Sequence, residues 1–371
     1  MRVFIKLFAE LNLGDDLFLK ILLERYPDVD FVIFAKEDYK LIFKDYSNLT
    51  VINHKSLKHS KSFQFKLKMA ILRKMFPKTY ILKLQEYLRV QYESEFIKSD
   101  AFVSIGGSIF IQPRRLPTYE DVELYNLANE LINNVYFIGC NFGPYNDPAY
   151  KLSYDEIFSR AKDVCFREDF SYQLFKELKN VRCNPDVVFG LNIKEISKDK
   201  KSVGFSIISP RNGIDKDKYL KKYAELIQFY QRKGYSIKLF SFCRKHGDEI
   251  TIDSVLDRIE ENRNIEKIYY RGDINEFLHK FSSVEMVFCG RFHAMILSMI
   301  LNQRFLAIAY SKKMTNVLED INFKGSSLLI EDFQNISPQE LNEMILNNTY
   351  DIGNQINESK AQFAKLDLLL Q

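Results

Sequence analysis

VFCGRFHAMILSM, Val287 to Met299, turns a strand into a helix within a few residues. Before Gly290 the run EMVFCG has the apolar, β-prone character of a buried strand. After His293 the run AMILSM is apolar and suited to a helix. A permanent cation, Arg291, and a titratable imidazole, His293, stand two residues apart at the junction. Strand followed directly by helix is the repeating unit of a parallel sheet with covering helices. Backbone N–H groups at such a helix start favour an anion, and Arg291 adds a fixed fork of donors. His293 can give or take a proton near neutral pH. A surface arginine that opens a helix and a hydrogen-bonded core histidine would look the same from these residues alone.

The same alternation extends in both directions. Candidate strands in the first half are RVFIKLFA (2–9), DFVIFA (30–35), LTVIN (49–53), AFVSIG (101–106), VYFIGC (135–140), DVCFR (163–167) and DVVFG (186–190). Helical patterns such as DDLFLKILLERY separate most of them. A polar, lysine-rich stretch, NIKEISKDKKS (192–202), reads as a linker. The pattern restarts with VGFSII (203–208), SIKLFSF (236–242), KIYY (267–270), EMVFCG (285–290) and RFLAIAY (304–310). The tail, 337–371, reads as one or two helices. The expectation is an α/β chain with domains at 1–191 and 203–336 facing a cleft. In open parallel sheets ligands sit at the carboxyl ends of strands, which directs attention to the loops that follow them.

Composition bounds the classes. The chain has 371 residues, 46% hydrophobic and 27% charged, with a net charge of +4. That charge is too small to argue for nucleic acid. The first residues begin a strand rather than a leader, and no apolar run is long enough to span a bilayer. Five scattered cysteines without a C-x-x-C pair point to a reduced, cytoplasmic protein with no zinc site. Neither G-x-G-x-x-G after a strand nor G-x-x-x-x-G-K-[ST] is present. One segment departs from the average: residues 55–89 hold ten Lys or Arg against one acid, Glu86, with apolar residues interleaved at helical spacing. A solvated helical face fits that pattern, and so does a basic amphipathic surface for anionic lipid at the inner face of a membrane. The loop IQPRRLPTYE (111–120) reads as an exposed turn-rich loop or as an acceptor contact.

Four further loops follow strands. In GGSIF, Gly106 and Gly107 let backbone N–H groups approach a ligand, and Ser108 can cap a helix or bind oxygen. In ELNLGDDLF, Asp15 and Asp16 sit at a helix start, where carboxylates commonly cap and where a hydroxyl-rich partner fits better than a phosphate. In REDFS, Arg167 leaves a strand, and Asp169 or Ser171 can cap. In YSKKM, Lys312 and Lys313 follow a strand. Arg167, Arg291 and a lysine are therefore candidates for an anion-binding centre.

In this order, NLGDD, SIGGSIF, GCNFGPY, FREDFS, PDVVFG, GRFHA and YSKK resemble the polysaccharide pyruvyl transferase family. The resemblance implies a GT-B-like fold of two Rossmann-like domains, with the helices of 337–371 returning to the N-terminal domain. It implies phosphoenolpyruvate as donor, no cofactor, and a saccharide acceptor, free or lipid-linked. The product is then a pyruvate ketal on a cell-surface polysaccharide or its precursor. The family's donor-binding arginine falls on Arg167, and its R-x-H element on Arg291, Phe292 and His293, with His293 the acid. Gly106, Gly107, Ser108 and Lys313 join the expected donor side, and Asn12 and Asp16 the acceptor side. Asp15 is the expected base and Glu168 the reserve. Phosphoenolpyruvate places a carboxylate beside a phosphate, so it calls for several cations. Arginines can neutralise the leaving phosphate without a metal. Two other readings share the pattern: a GT-B glycosyltransferase with a nucleotide-sugar donor, and a non-catalytic carbohydrate- or anion-binding protein.

Overall fold

A computed structural model describes residues 1–53, 63–112, 116–193, 196–210, 213–261 and 263–371. Residues 55–62 of the basic segment, Arg114 and Arg115 of the loop 111–120, and Lys194 and Glu195 of the expected linker lie outside the described residues, as do the side chains of Phe65 and Lys66. The chain divides into two units. Unit 1 comprises Met1–Ala9, Phe18–Asp186 and Lys360–Gln371; unit 2 comprises Glu10–Leu17 and Val187–Ser359.

Unit 1 holds β1 (Arg2–Lys6), β2 (Asp30–Ala35), β3 (Leu49–Asn53), β4 (Ala101–Ile105), β5 (Val135–Cys140), β6 (Asp163–Phe166) and β7 (Val181–Cys183). They form one sheet in the order β3-β2-β1-β4-β5-β6-β7, every pair parallel. β4, β5 and β6 are buried along their whole length, which accounts for their unbroken apolar sequences. The core is aromatic: Phe110 packs edge-on against Tyr125, Tyr154 and Phe158, and Phe142 against Phe175. Edge-to-face contacts of this kind add to the area these rings bury.

Unit 2 holds β8 (Asp199–Ser206), β9 (Ser236–Ser241), β10 (Ile265–Tyr269), β11 (Val284–Cys289), β12 (Arg304–Ala309) and β13 (Ser327–Leu329). Their order is β10-β9-β8-β11-β12-β13, again all parallel. Phe205 and Phe288, on adjacent strands, stack with centroids 5.2 Å apart beside Tyr230. No helix among the described residues is long and apolar enough to cross a membrane.

Several expectations are corrected. DVVFG is not a strand: Val187–Gly190 forms a 3-10 turn whose apolar side chains are buried. A short apolar run carries no period that separates a strand from a buried turn. The expected linker shortens, because β8 begins at Asp199, where exposed lysines extend its outer end. The tail divides. Helix Pro338–Asn347 buries Leu341 and Ile345 in the core of unit 2, so residues 337–359 do not join unit 1. Only 360–371 belong to unit 1, where Arg25 pairs with Asp367, and Gln362 bonds to Gly139 N and to the carbonyls of Phe166 and Asn184.

Candidate active site

In unit 2 the candidate residues gather at the carboxyl ends of β8, β9, β11 and β12. Gly290 N donates to Ser206 O (2.8 Å), and a Cβ at Gly290 would overlap that carbonyl, so the two strand ends approach closely only through glycine. Helix Phe292–Ile300 follows with Arg291 at its N-cap. The Arg291 guanidinium forks onto Asp248: Nε donates to Oδ2 at 3.1 Å, and Nη2 donates to Oδ1. Asp248 is fully buried and also accepts the backbone N–H groups of Phe242 and Cys243, at 3.1 Å each. Burial pushes the Asp248 carboxyl up, against the pull of Arg291 and these bonds.

Arg291 Nη1 lies 3.1 Å from His246 Nδ1. A guanidinium only donates, so Nδ1 accepts and the neutral ring carries its proton on Nε2. Partial desolvation, then the charges of Arg291, Lys313 and Lys245, push the His246 pKa down to about 4. Lys313 Nζ lies 5.6 Å from the centroid of Phe292 and 5.0 Å from that of Tyr310. Arg291 and Lys313 thus place two cations at the strand ends, with the neutral His246 ring beside them. Two hydroxyls at those ends, Ser206 Oγ and Ser241 Oγ, are buried without a hydrogen-bond partner among the described residues.

His293 is half-buried and edge-on to Phe292, with centroids 5.1 Å apart. Its ring lies where a side chain at Gly14 would be: a Cβ there would overlap the imidazole. Gly14 is in the first turn of helix Leu13–Arg25. The segment ahead of it is tied to the residues just after β9 by a bridge between Asn12 and Cys243 and by Leu13 N donating to Phe242 O (3.1 Å). Asn12 Nδ2 donates to Asp15 Oδ2 (2.6 Å), which orients that carboxylate. Asp16 is fully buried and accepts the Tyr270 hydroxyl at 2.7 Å, a tie within unit 2 rather than an open acceptor contact.

Unit 1 holds the other expected group. Arg167 is buried; Nη1 donates to Asp186 (2.8 Å) and Nη2 to Asn141 Oδ1 (2.7 Å). Its guanidinium covers Gly107, where a Cβ would overlap it, and Ser108 Oγ donates to Asn141 Oδ1 (3.1 Å). Gly106, at φ 136°, makes the turn that brings this loop back. Glu168, the reserve base, is instead the N-cap of helix Asp169–Phe175: its carboxylate accepts Ser171 N (3.0 Å) and the Ser171 hydroxyl. The expectation that Asp169 or Ser171 caps is corrected with it.

The sequence reading missed His246, Asp248, Asn141 and Asp186 as site residues. The first two lie in FCRKHGDE, directly after β9, where the rule about strand ends applied equally. A Gly-Asp pair there reads as an ordinary helix start, and Gly247 at φ 82° does open helix Asp248–Leu256. Only the fork onto Arg291 reveals the second role of Asp248.

Solved structures share the architecture. The UDP-GlcNAc 2-epimerase of Methanocaldococcus jannaschii aligns with a TM-score of 0.61 at 13% identity, covering 100% of this chain and 99% of that one. The UDP-GlcNAc 2-epimerase of Neisseria meningitidis aligns with a TM-score of 0.59 at 12% identity, covering 99% of each. At such identities the likeness concerns the fold, which is GT-B. The amylovoran biosynthesis protein AmsJ of Erwinia amylovora is 22% identical over 272 residues, 65% of this chain. That match spans 63% of the length of AmsJ. The family model described as polysaccharide pyruvyl transferase matches residues 12–312, a span that opens at Asn12 beside the Asp15 carboxylate and takes in Arg167, Arg291 and His293. The chain belongs to the polysaccharide pyruvyl transferase family.

Proposed function

We propose that the chain moves pyruvate from phosphoenolpyruvate onto two hydroxyls of one sugar, in a cell-surface polysaccharide or its lipid-linked precursor, forming a ketal and releasing phosphate. The observation that carries this reading is the positive cluster of unit 2, Arg291 fixed by Asp248 and flanked by Lys313, with His293 two residues beyond Arg291. A ligand with two neighbouring anionic groups suits such a cluster.

In this reaction the His293 imidazolium gives a proton to C3 of the enol, and C2 becomes electrophilic. One sugar hydroxyl forms a C–O bond to C2, and the bond from C2 to the phosphate oxygen breaks. The second hydroxyl then closes the ring on C2. Two hydroxyl protons are released: one restores the imidazolium and the other leaves with phosphate. Asp15, oriented by Asn12, is the base that takes each proton from its hydroxyl and passes it on in this scheme, ending as the carboxylate.

The test is phosphoenolpyruvate-dependent release of phosphate, with a matching mass gain on a saccharide acceptor. Thermal stabilisation by a nucleotide sugar and not by phosphoenolpyruvate would favour the glycosyltransferase reading instead. Arg291→Lys keeps the charge but loses the planar fork onto Asp248. It weakens calorimetric affinity for phosphoenolpyruvate by about 2 kcal/mol or more. Unchanged affinity would remove Arg291 from donor binding. Alanine is the poorer probe, because it strands the buried Asp248 carboxylate and destabilises the fold itself.

A further inference from the structure

Helix Phe63–Met75 and helix Pro77–Phe96 meet at a corner formed by Phe76 and Pro77. Their inner side packs on the core of unit 1 through Met69, Tyr80, Leu84 and Leu88. Their outer side is apolar where a solvated helix would be polar. Leu67 (51%), Ile71 (51%) and Met75 (62%) are exposed, and their four-residue spacing puts them on one face. Phe76 (59%) continues the row at the corner, and Leu82 (65%) lies beyond it. Exposed apolar side chains are ordinary singly; a row of four large ones ending on an aromatic corner marks a contact surface.

The charge around the row is of one sign. Residues 67–85 contain Lys68, Arg73, Lys74, Lys78 and Lys83 and no acidic residue. Lys68, Lys74 and Lys78 are exposed. Arg73, Lys74 and Lys78 hold no ion pair among the described residues, and Glu86, the first acid after them, pairs with Lys83. Farther along the same helix, Arg89 is balanced by Glu93 and Glu130. The uncompensated positive charge is therefore concentrated where the apolar row is exposed.

We infer that the corner formed by residues 67–83 docks unit 1 onto an anionic lipid bilayer. Met75 and Phe76 enter the boundary between headgroups and acyl chains, and Lys68, Arg73, Lys74 and Lys78 meet the anionic headgroups. Lysine suits this place because its stem lies along apolar surface while its ammonium reaches the phosphates. A protein partner would have to be both apolar and acidic at the same spot; an anionic bilayer has both properties everywhere on its surface. The inference does not depend on the donor or on the reaction proposed above.

Flotation of the full chain with vesicles tests it. The chain is expected to float with phosphatidylcholine vesicles containing phosphatidylglycerol at low salt, and to be released as salt rises. It is expected not to float with phosphatidylcholine alone. Lys74→Gln and Lys78→Gln each weaken binding about fivefold. Ile71→Ser with Met75→Ser abolishes it while leaving thermal unfolding unchanged, because neither side chain is in the core. Absence of flotation with the anionic vesicles at low salt would overturn the inference, as would binding that neither set of substitutions alters. A size-exclusion shift that the serine substitutions remove in the absence of vesicles would assign the face to a second copy of the chain and overturn the lipid assignment.

Discussion

Gly14 and His293 show how a residue without a side chain can position one that has chemistry. A Cβ at Gly14 would overlap the His293 ring, so Gly14→Ala must turn the imidazole while leaving both sheets intact. Displacement of a reacting group by about 1 Å costs on the order of a hundredfold in rate. Gly14→Ala is therefore expected to lower turnover about a hundredfold with little change in melting temperature, as calorimetry and a phosphate-release assay would measure. His246 offers a second test. Its pKa falls from 6.5 to about 4 in the folded chain, so between those values the unfolded chain binds a proton that the folded chain does not. Stability thus decreases as pH drops through that window. His246 is exposed, which reduces the effect by solvent screening. His246→Asn is expected to lose less stability than the parent between about pH 7 and pH 5 in urea unfolding, and an equal loss would contradict the assignment. Residues with a charge at a strand end, such as Arg291, were legible in the sequence. Their counterions, Asp248 and Asp186, were not, because pairing across loops distant in sequence leaves no local signal.

At the scale of elements, buried parallel strands were the most legible feature. The spans 30–35, 49–53 and 135–140 coincide with β2, β3 and β5, since apolar runs bounded by polar residues admit little choice of ends. β7 (VRC) and β13 (SLL) escaped notice because three residues carry no period, and each is an edge strand held by one neighbour. The strand-to-helix junction at 289–292 depends on Gly290, whose N–H bonds to Ser206 O. Gly290→Ala must push β11 from β8 or bend the junction, which is expected to cost about 1–3 kcal/mol in denaturant unfolding. It should reduce activity too, because Arg291 is the next residue. A fully stable, fully active Gly290→Ala chain would show that the junction is not constrained in this way.

For the whole molecule, the order of motifs along the chain pointed to the family, and the two parallel sheets to the GT-B fold. The placement of the tail and of the segment 10–17 was not legible. Both depend on which core takes up a helix, and amphipathic patterns do not name their partners. Segment 10–17 brings Gly14 against the His293 ring, so this part of unit 2 is contributed by residues far from the rest of that unit in sequence. The central claim is that His293 protonates the enol while other groups hold the donor. The most direct test is phosphate release by His293→Ala at saturating phosphoenolpyruvate and acceptor. The account predicts a fall of about 10²–10⁴-fold with calorimetric donor affinity retained; release at the parent rate would contradict it.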